Sequence, residues 1–245
     1  MRVKELIKCC LLQLGCLVNR DKRRSKILYY HDVTPEHGEA YTDMSTPFAL
    51  FAAHMAQVKR AGFEIVPRIE SVHGQVLIAF DDGFRGVYEN RARFVEWGVK
   101  PTIFLATTLV GKPGYMTADE IRELQELGFV FQCHTVSHTN LQKFAGDDLR
   151  RQVEDSKREL SEMLGREVDE ICFPQGYYSD TVVAACRKAG YKKMYTSVPG
   201  DYEPDSDLVC RNLCQFEPMS RFKLILKGGM NLLRGHYLKR HYKNI

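Results

Sequence analysis

Val76-Leu77-Ile78-Ala79-Phe80-Asp81-Asp82-Gly83 is a run of apolar residues that stops on two carboxylates and a glycine. Five successive apolar side chains suit a strand covered on both faces, as in a parallel sheet, and the glycine marks the turn that ends it. Neighbouring side chains on a strand point to opposite faces, but at the tip the chain turns, so both carboxylates can reach one cleft. One could ligate a metal while the other takes a proton. A second segment, His134-Thr135-Val136-Ser137-His138, follows another apolar stretch, 129–133, and places two imidazoles at i and i+4, which meet on one face of a helix or turn. Either segment alone is a weak signal, since an Asp-Asp pair usually caps a solvated turn. Together they are strong, because the tips of parallel strands open on the same side of a sheet or barrel. Two histidines and one carboxylate form the open ligand set of the zinc hydrolases.

Outward from these segments the pattern is regular. Strands are expected near 26–31, 63–66, 76–81, 101–106, 129–133, 170–174, 193–197 and 208–213, alternating with helices near 47–61, 85–97, 117–127, 147–165 and 179–189. That alternation predicts βαβ units, a parallel sheet and one α/β domain. Thr117 with Glu120 reads as a capping box, Ser179 precedes an apolar-periodic run, and Gly62, Gly98, Gly128 and Gly190 each stand where a helix should stop.

At these residues the chain resembles the polysaccharide deacetylases of the NodB-homology, or carbohydrate esterase family 4, type. Phe80-Asp81-Asp82-Gly83 is similar to their F-D-D-G motif, and His134 to His138 to their H-S/T-x-x-H motif. The resemblance implies Asp82, His134 and His138 as metal ligands, Asp81 as general base, and one divalent cation, zinc first and nickel or cobalt as alternatives. A third motif, often Arg-x-Pro, corresponds to Cys172-Phe173-Pro174 followed by Gln175-Gly176, so the arginine is absent. Arg85 is the nearest cation in sequence that could orient Asp81. Ile27-Leu28-Tyr29-Tyr30-His31-Asp32-Val33 is similar to the opening of the circularly permuted poly-N-acetylglucosamine deacetylases, which makes His31 the general acid in preference to His236 or His241 of the tail. The implied fold is a distorted (β/α)7-type barrel, permuted in motif order, with Pro174, Gly176, Tyr177 and Phe84 at the substrate. The implied activity is metal-dependent deacetylation of N-acetylated sugars in a cell-surface polysaccharide or its precursor. The alternative is a degenerate glycan-binding barrel, or a membrane-recruited component of glycan assembly.

Charge divides the chain of 245 residues into three. Residues 1–26 carry eight Lys/Arg and two acids, residues 221–245 carry seven Lys/Arg and no acid, and the whole chain is only +4, which leaves the body at −9. This reads as a basic amphipathic segment 1–25, a deacetylase domain 26–215 and a basic amphipathic tail 216–245. Such ends suit an anionic membrane surface, while the acidic body gives no reason to expect nucleic acid as a partner. Lys8 and Gln13 interrupt the N-terminal apolar stretch, and no small-x-small site follows, which argues against a secretory signal. Eight cysteines without paired zinc spacing read as reduced thiols, hence a cytoplasmic protein, peripheral at the inner face of the membrane.

Overall fold

The computed structural model of the chain describes residues 3–243. Each expected strand is present: β1 (Lys26–Tyr30), then the short pair β2 (Asp32–Val33) and β3 (Ser45–Thr46), β4 (Glu64–Ile65), β5 (Gln75–Phe80), β6 (Thr102–Leu105), β7 (Val130–Cys133), β8 (Glu170–Cys172), β9 (Lys193–Tyr195), β10 (Leu208–Val209) and β11 (Asn212–Leu213). The helices are α1 (Val3–Val18), α2 (Phe48–Arg60), α3 (Gly86–Glu89), α4 (Arg91–Glu96), α5 (Ala118–Glu126), α6 (Gly146–Leu164), α7 (Asp180–Lys188), α8 (Met219–Leu226) and α9 (Arg234–His241). Local chemistry sets their ends as read from the sequence. Thr117 and Glu120 form the reciprocal capping box, the Ser179 hydroxyl accepts from Val182 N, and Gly62, Gly98, Gly128 and Gly190 all adopt positive φ.

Nine strands form one parallel sheet in the order β10-β9-β8-β7-β6-β5-β1-β11, with β4 added beside β5. Its two edges, β10 and β11, are separated in sequence by only Cys210 and Arg211, so the sheet must curl until its edges almost meet. The seam is tied by Arg211 N donating to Val198 O and Cys214 N donating to Tyr29 O, both at 3.0 Å. Strand alternation separates two apolar layers. Ile27, Tyr29, Leu77, Ala79, Phe104, Tyr195 and Val209 fill the lumen, while Leu28, Tyr30, Val76, Ile78 and Phe80 face the surrounding helices. Continuing that phase past the strand ends aims His31, Asp81 and Arg211 at the same lumen. The register Tyr30↔Phe80 sets His31 beside Asp81, and Cys133↔Ile171 sets His134 beside Cys172.

Both basic ends are seated on this barrel. Helix α1 packs on α8 and on the turn of 3-10 helix Gly229–Leu233, burying Leu12 and Cys16. Ion pairs Glu5–Arg221 and Lys8–Glu217 flank the contact, and Asn19 Nδ2 donates to Lys227 O at 3.0 Å. Backbones touch at the crossing: a Cβ on Gly15 would lie 2.2 Å from Gly229 O. Among the described residues no helix is long and apolar enough to cross a membrane.

Gly→Ala inside a helix ordinarily gains about 1 kcal/mol from propensity. At Gly15 the sign should reverse, with Gly15→Ala losing roughly 1–3 kcal/mol in urea unfolding because α1 must lift off Gly229. A stabilised variant would contradict this packing.

Candidate metal centre and active-site cleft

Asp81 and Asp82 stand at the tip of β5, and the turn gives their carboxylates different neighbours. Asp82 adopts φ +71°, a left-handed conformation that Asp tolerates, and this turns its carboxylate toward the β7 loop. There His134 and His138 converge on it, with Nε2 atoms 3.4 Å and 2.9 Å from Asp82 Oδ1. His134 Nδ1 lies 2.8 Å from the Cys172 carbonyl, so that nitrogen carries the proton and Nε2 presents a lone pair. Asp82 Oδ1 is buried and has no aligned hydrogen bond despite these close nitrogens. Donor atoms that approach one another without bonding are what a shared cation would reconcile, and these three ligand atoms lie within 4.8 Å of one another. The residues present therefore fit one divalent metal.

Three more non-glycine residues of this region, Thr135, His138 and Gln175, also have positive φ. For the β-branched Thr135, at +70°, this is strained backbone, of the kind that persists where surrounding structure over-determines a site.

A second grouping, Asp81, His134 and Cys172, also has its donor atoms within 4.8 Å of one another. It suits a metal less. Burial pushes the Cys172 thiol well above its ordinary range, and both Asp81 oxygens are already engaged. Their partner is Arg211, which donates from Nη1 to Oδ1 at 2.6 Å and from Nη2 to Oδ2 at 2.9 Å, a two-pronged charge-assisted pair. The guanidinium is fully buried, donates from Nε to Thr196 O at 2.9 Å and lies 4.1 Å from the Tyr29 ring centroid. Burial would raise the Asp81 carboxyl, yet Arg211 holds it below the ordinary range, leaving it ionised. The expected partner of Asp81, Arg85, is instead on the outer side at the start of α3, paired with Glu89 and Glu120. The sequence signal for Arg211 was a lone cation within a predicted core strand, which has to find a buried acid.

These groups line a cleft of about 370 Å³. His31 lies on its wall, with Gln215 Oε1 accepting from Nδ1 at 2.7 Å, which leaves Nε2 free to act on a ligand. Of the tail histidines, His236 is exposed, but His241 is buried in the cleft wall beside Tyr177, with ring centroids 5.0 Å apart. Burial, and then Arg240, lower its pKa. The tail and α1 thus build part of the wall, through Tyr237, Arg240 and Lys8. The residues expected at the substrate are placed unevenly. Phe84 is buried and stacked on Tyr115 with centroids 4.6 Å apart, Pro174 and Gly176 are buried in the loop behind Gln175, and Gln175 itself is on the surface of the cleft.

Comparison with known proteins agrees with this geometry. A family profile described as polysaccharide deacetylase matches residues 70–194, just over half of the chain. The chain belongs to the polysaccharide deacetylase family. It is 25% identical over 203 residues to Bacillus subtilis YxkH, whose name assigns it to the same family, covering 78% of this chain and 71% of that one. Among solved structures, Streptococcus pyogenes deacetylase PplD superposes with a TM-score of 0.72 at 22% identity, covering 84% of this chain and 98% of that one. IcaB from Ammonifex degensii gives 0.72 at 20% identity, covering 85% and 97%. These likenesses establish the fold as that of the NodB-type deacetylases, a curled parallel sheet wrapped by helices.

Removing one partner of a buried ion pair leaves the other charge uncompensated, at about 3–5 kcal/mol. Arg211→Met should therefore cost about that much in urea unfolding under chelating conditions, and Asp81→Asn combined with Arg211→Met should recover part of the loss. Strict additivity of the two single effects would mean that the pair is not coupled.

Proposed function

We propose that the chain is a metal-dependent hydrolase that removes acetyl groups from N-acetylated sugars of a cell-surface polysaccharide or its precursor. The observation that carries this reading is the convergence of Asp82, His134 and His138 on one point beside an ionised, arginine-held Asp81. These three residues would hold one divalent cation, zinc before nickel or cobalt, which when bound supplies Lewis acidity and a more acidic water.

The protein groups then divide the work. Asp81 accepts the proton of the attacking water, and Arg211 keeps its two oxygens oriented and its charge in place. Attack on the acetyl carbon gives a tetrahedral oxyanion. The Tyr177 N–H is our candidate donor to that charge, since its bond to Pro174 O is long, at 3.4 Å. His31 protonates the departing amine from Nε2, with Gln215 fixing the ring. Pro174 and Gly176 shape the loop that presents Gln175 to the cleft, Tyr177 stands against the cleft-wall ring of His241, and Phe84 packs on Tyr115 after the Asp82 turn. The missing third-motif arginine was the reason to consider a degenerate glycan-binding barrel, and in our reading Arg211, from the link between β10 and β11, supplies the guanidinium in its place. All eight cysteines are free thiols, which favours work in the reducing cytoplasm.

The test is acetate release from N-acetylhexosamine oligomers and lipid-linked N-acetyl sugars by metal-loaded protein. His31→Ala should retain metal and lose roughly a hundredfold or more of amide turnover, with a much smaller deficit on an activated aryl acetate, whose leaving group needs no acid. His134→Ala or His138→Ala should lose the metal. Loss of amide turnover in His241→Ala with His31→Ala unaffected would move the acid to the tail. Unchanged metal content in both ligand variants would overturn the ligand assignment.

A further inference from the structure

Helix α1 is apolar on two opposite faces. Leu12, Gly15 and Cys16 face the barrel, as a surface helix requires. The opposite face should be polar, yet it carries Leu6, Ile7, Leu14, Leu17 and Val18, between 48% and 80% exposed. They recur at helical spacing, so they form one continuous stripe along the outermost side of the helix.

The end of that stripe adjoins an unusual depression. A hollow of about 440 Å³ is lined by Lys22, Arg23, Arg60, Lys223 and Lys227 over a floor that includes Phe63 and Leu226, and no carboxylate lines it. It borders the C-terminal end of α1, where Asn19 bonds Lys227 O. Arg23 is held by Gly62 O at 2.8 Å. Lys22, Arg60, Lys223 and Lys227 form no ion pair among the described residues, whereas surface cations elsewhere, such as Arg91, Arg93 and Arg187, are paired with acids.

We propose that the α1 stripe and the adjoining cationic hollow form one docking surface for an anionic phospholipid bilayer, with the leucines entering the acyl boundary and the hollow receiving headgroup phosphates. The two features call for one occupant that is apolar and anionic side by side. A second copy docked through α1 would bring two unneutralised cation clusters together, and a nucleic acid would leave the stripe in water. Neither satisfies both halves of the surface.

The experiment is flotation of the full chain with vesicles of phosphatidylcholine alone or of an equal mixture with phosphatidylglycerol. Binding should occur on the mixed vesicles, fall with added salt and be absent on phosphatidylcholine. Leu14→Glu with Leu17→Glu should abolish it, and Lys223→Glu with Lys227→Glu should weaken it about tenfold or more. Both double variants should keep wild-type circular dichroism and full deacetylation of soluble oligomers. Should the leucine variant misfold, the lysine variant and the salt series still decide. Absence of flotation on mixed vesicles, equal flotation on both kinds, or an unchanged lysine variant would overturn the proposal. So would a concentration-dependent dimer, seen by sedimentation velocity and lost in Leu17→Glu.

Discussion

The ion pair between Arg211 and Asp81 joins the last strands of the barrel to the tip of β5 across 130 residues of sequence. Arg211 stands in the two-residue link between the opposite edges of the sheet, so the same residue closes the barrel and orients a carboxylate at its mouth. Two charges withdrawn from water cost several kcal/mol each, and attraction offsets this only when geometry is good and the remaining donors are met. Here both carboxylate oxygens are met, the guanidinium Nε reaches Thr196 O, and the Tyr29 ring lies beside its plane. Lys26 repeats the solution at the start of β1, paired in the interior with Asp201 at 3.1 Å. Each buried cation fixes where a strand end must lie.

With Asp81 fixed, the rest of the site follows from periodicity. Phase along β1, β5 and the seam directs His31, Asp81 and Arg211 into the lumen, and the left-handed turn at Asp82 sends the second carboxylate sideways to the histidines. Thr135 after β7 and Gln175 after β8 both take positive φ, in the two loops that supply His134, His138 and Gln175 to the cleft. Adjacent carboxylates thereby acquire different neighbours, one a guanidinium and the other two imidazoles, which is the basis of the different roles proposed for them.

The strands, caps and glycine stops were legible because they are local: apolar runs, an acid three residues after a threonine, and a glycine after an amphipathic helix. The Asp82, His134 and His138 cluster was legible because parallel topology places strand tips together. Arg211 was not assigned, since nearness in sequence pointed to Arg85, while closure of the sheet makes a residue 130 positions away the neighbour of Asp81. The tails were read as basic and amphipathic, but composition does not reveal that Gly15 and Gly229 allow backbones to touch, nor that the barrel mouth needs Lys8, Tyr237 and His241 as part of its wall. Two apolar faces on α1 have the same periodicity as one broad face, and only packing distinguishes the buried from the exposed.

The division of labour between neighbouring carboxylates is the centre of this account, and parallel metal titration and single-turnover acetate release on Asp81→Asn and Asp82→Asn test it most directly. Asp81→Asn should bind the metal as wild type does and turn over roughly a hundredfold or more slowly, whereas Asp82→Asn should bind metal weakly and recover part of its activity at high metal concentration. Equal metal loss in the two variants, or normal turnover in metal-loaded Asp81→Asn, would contradict it.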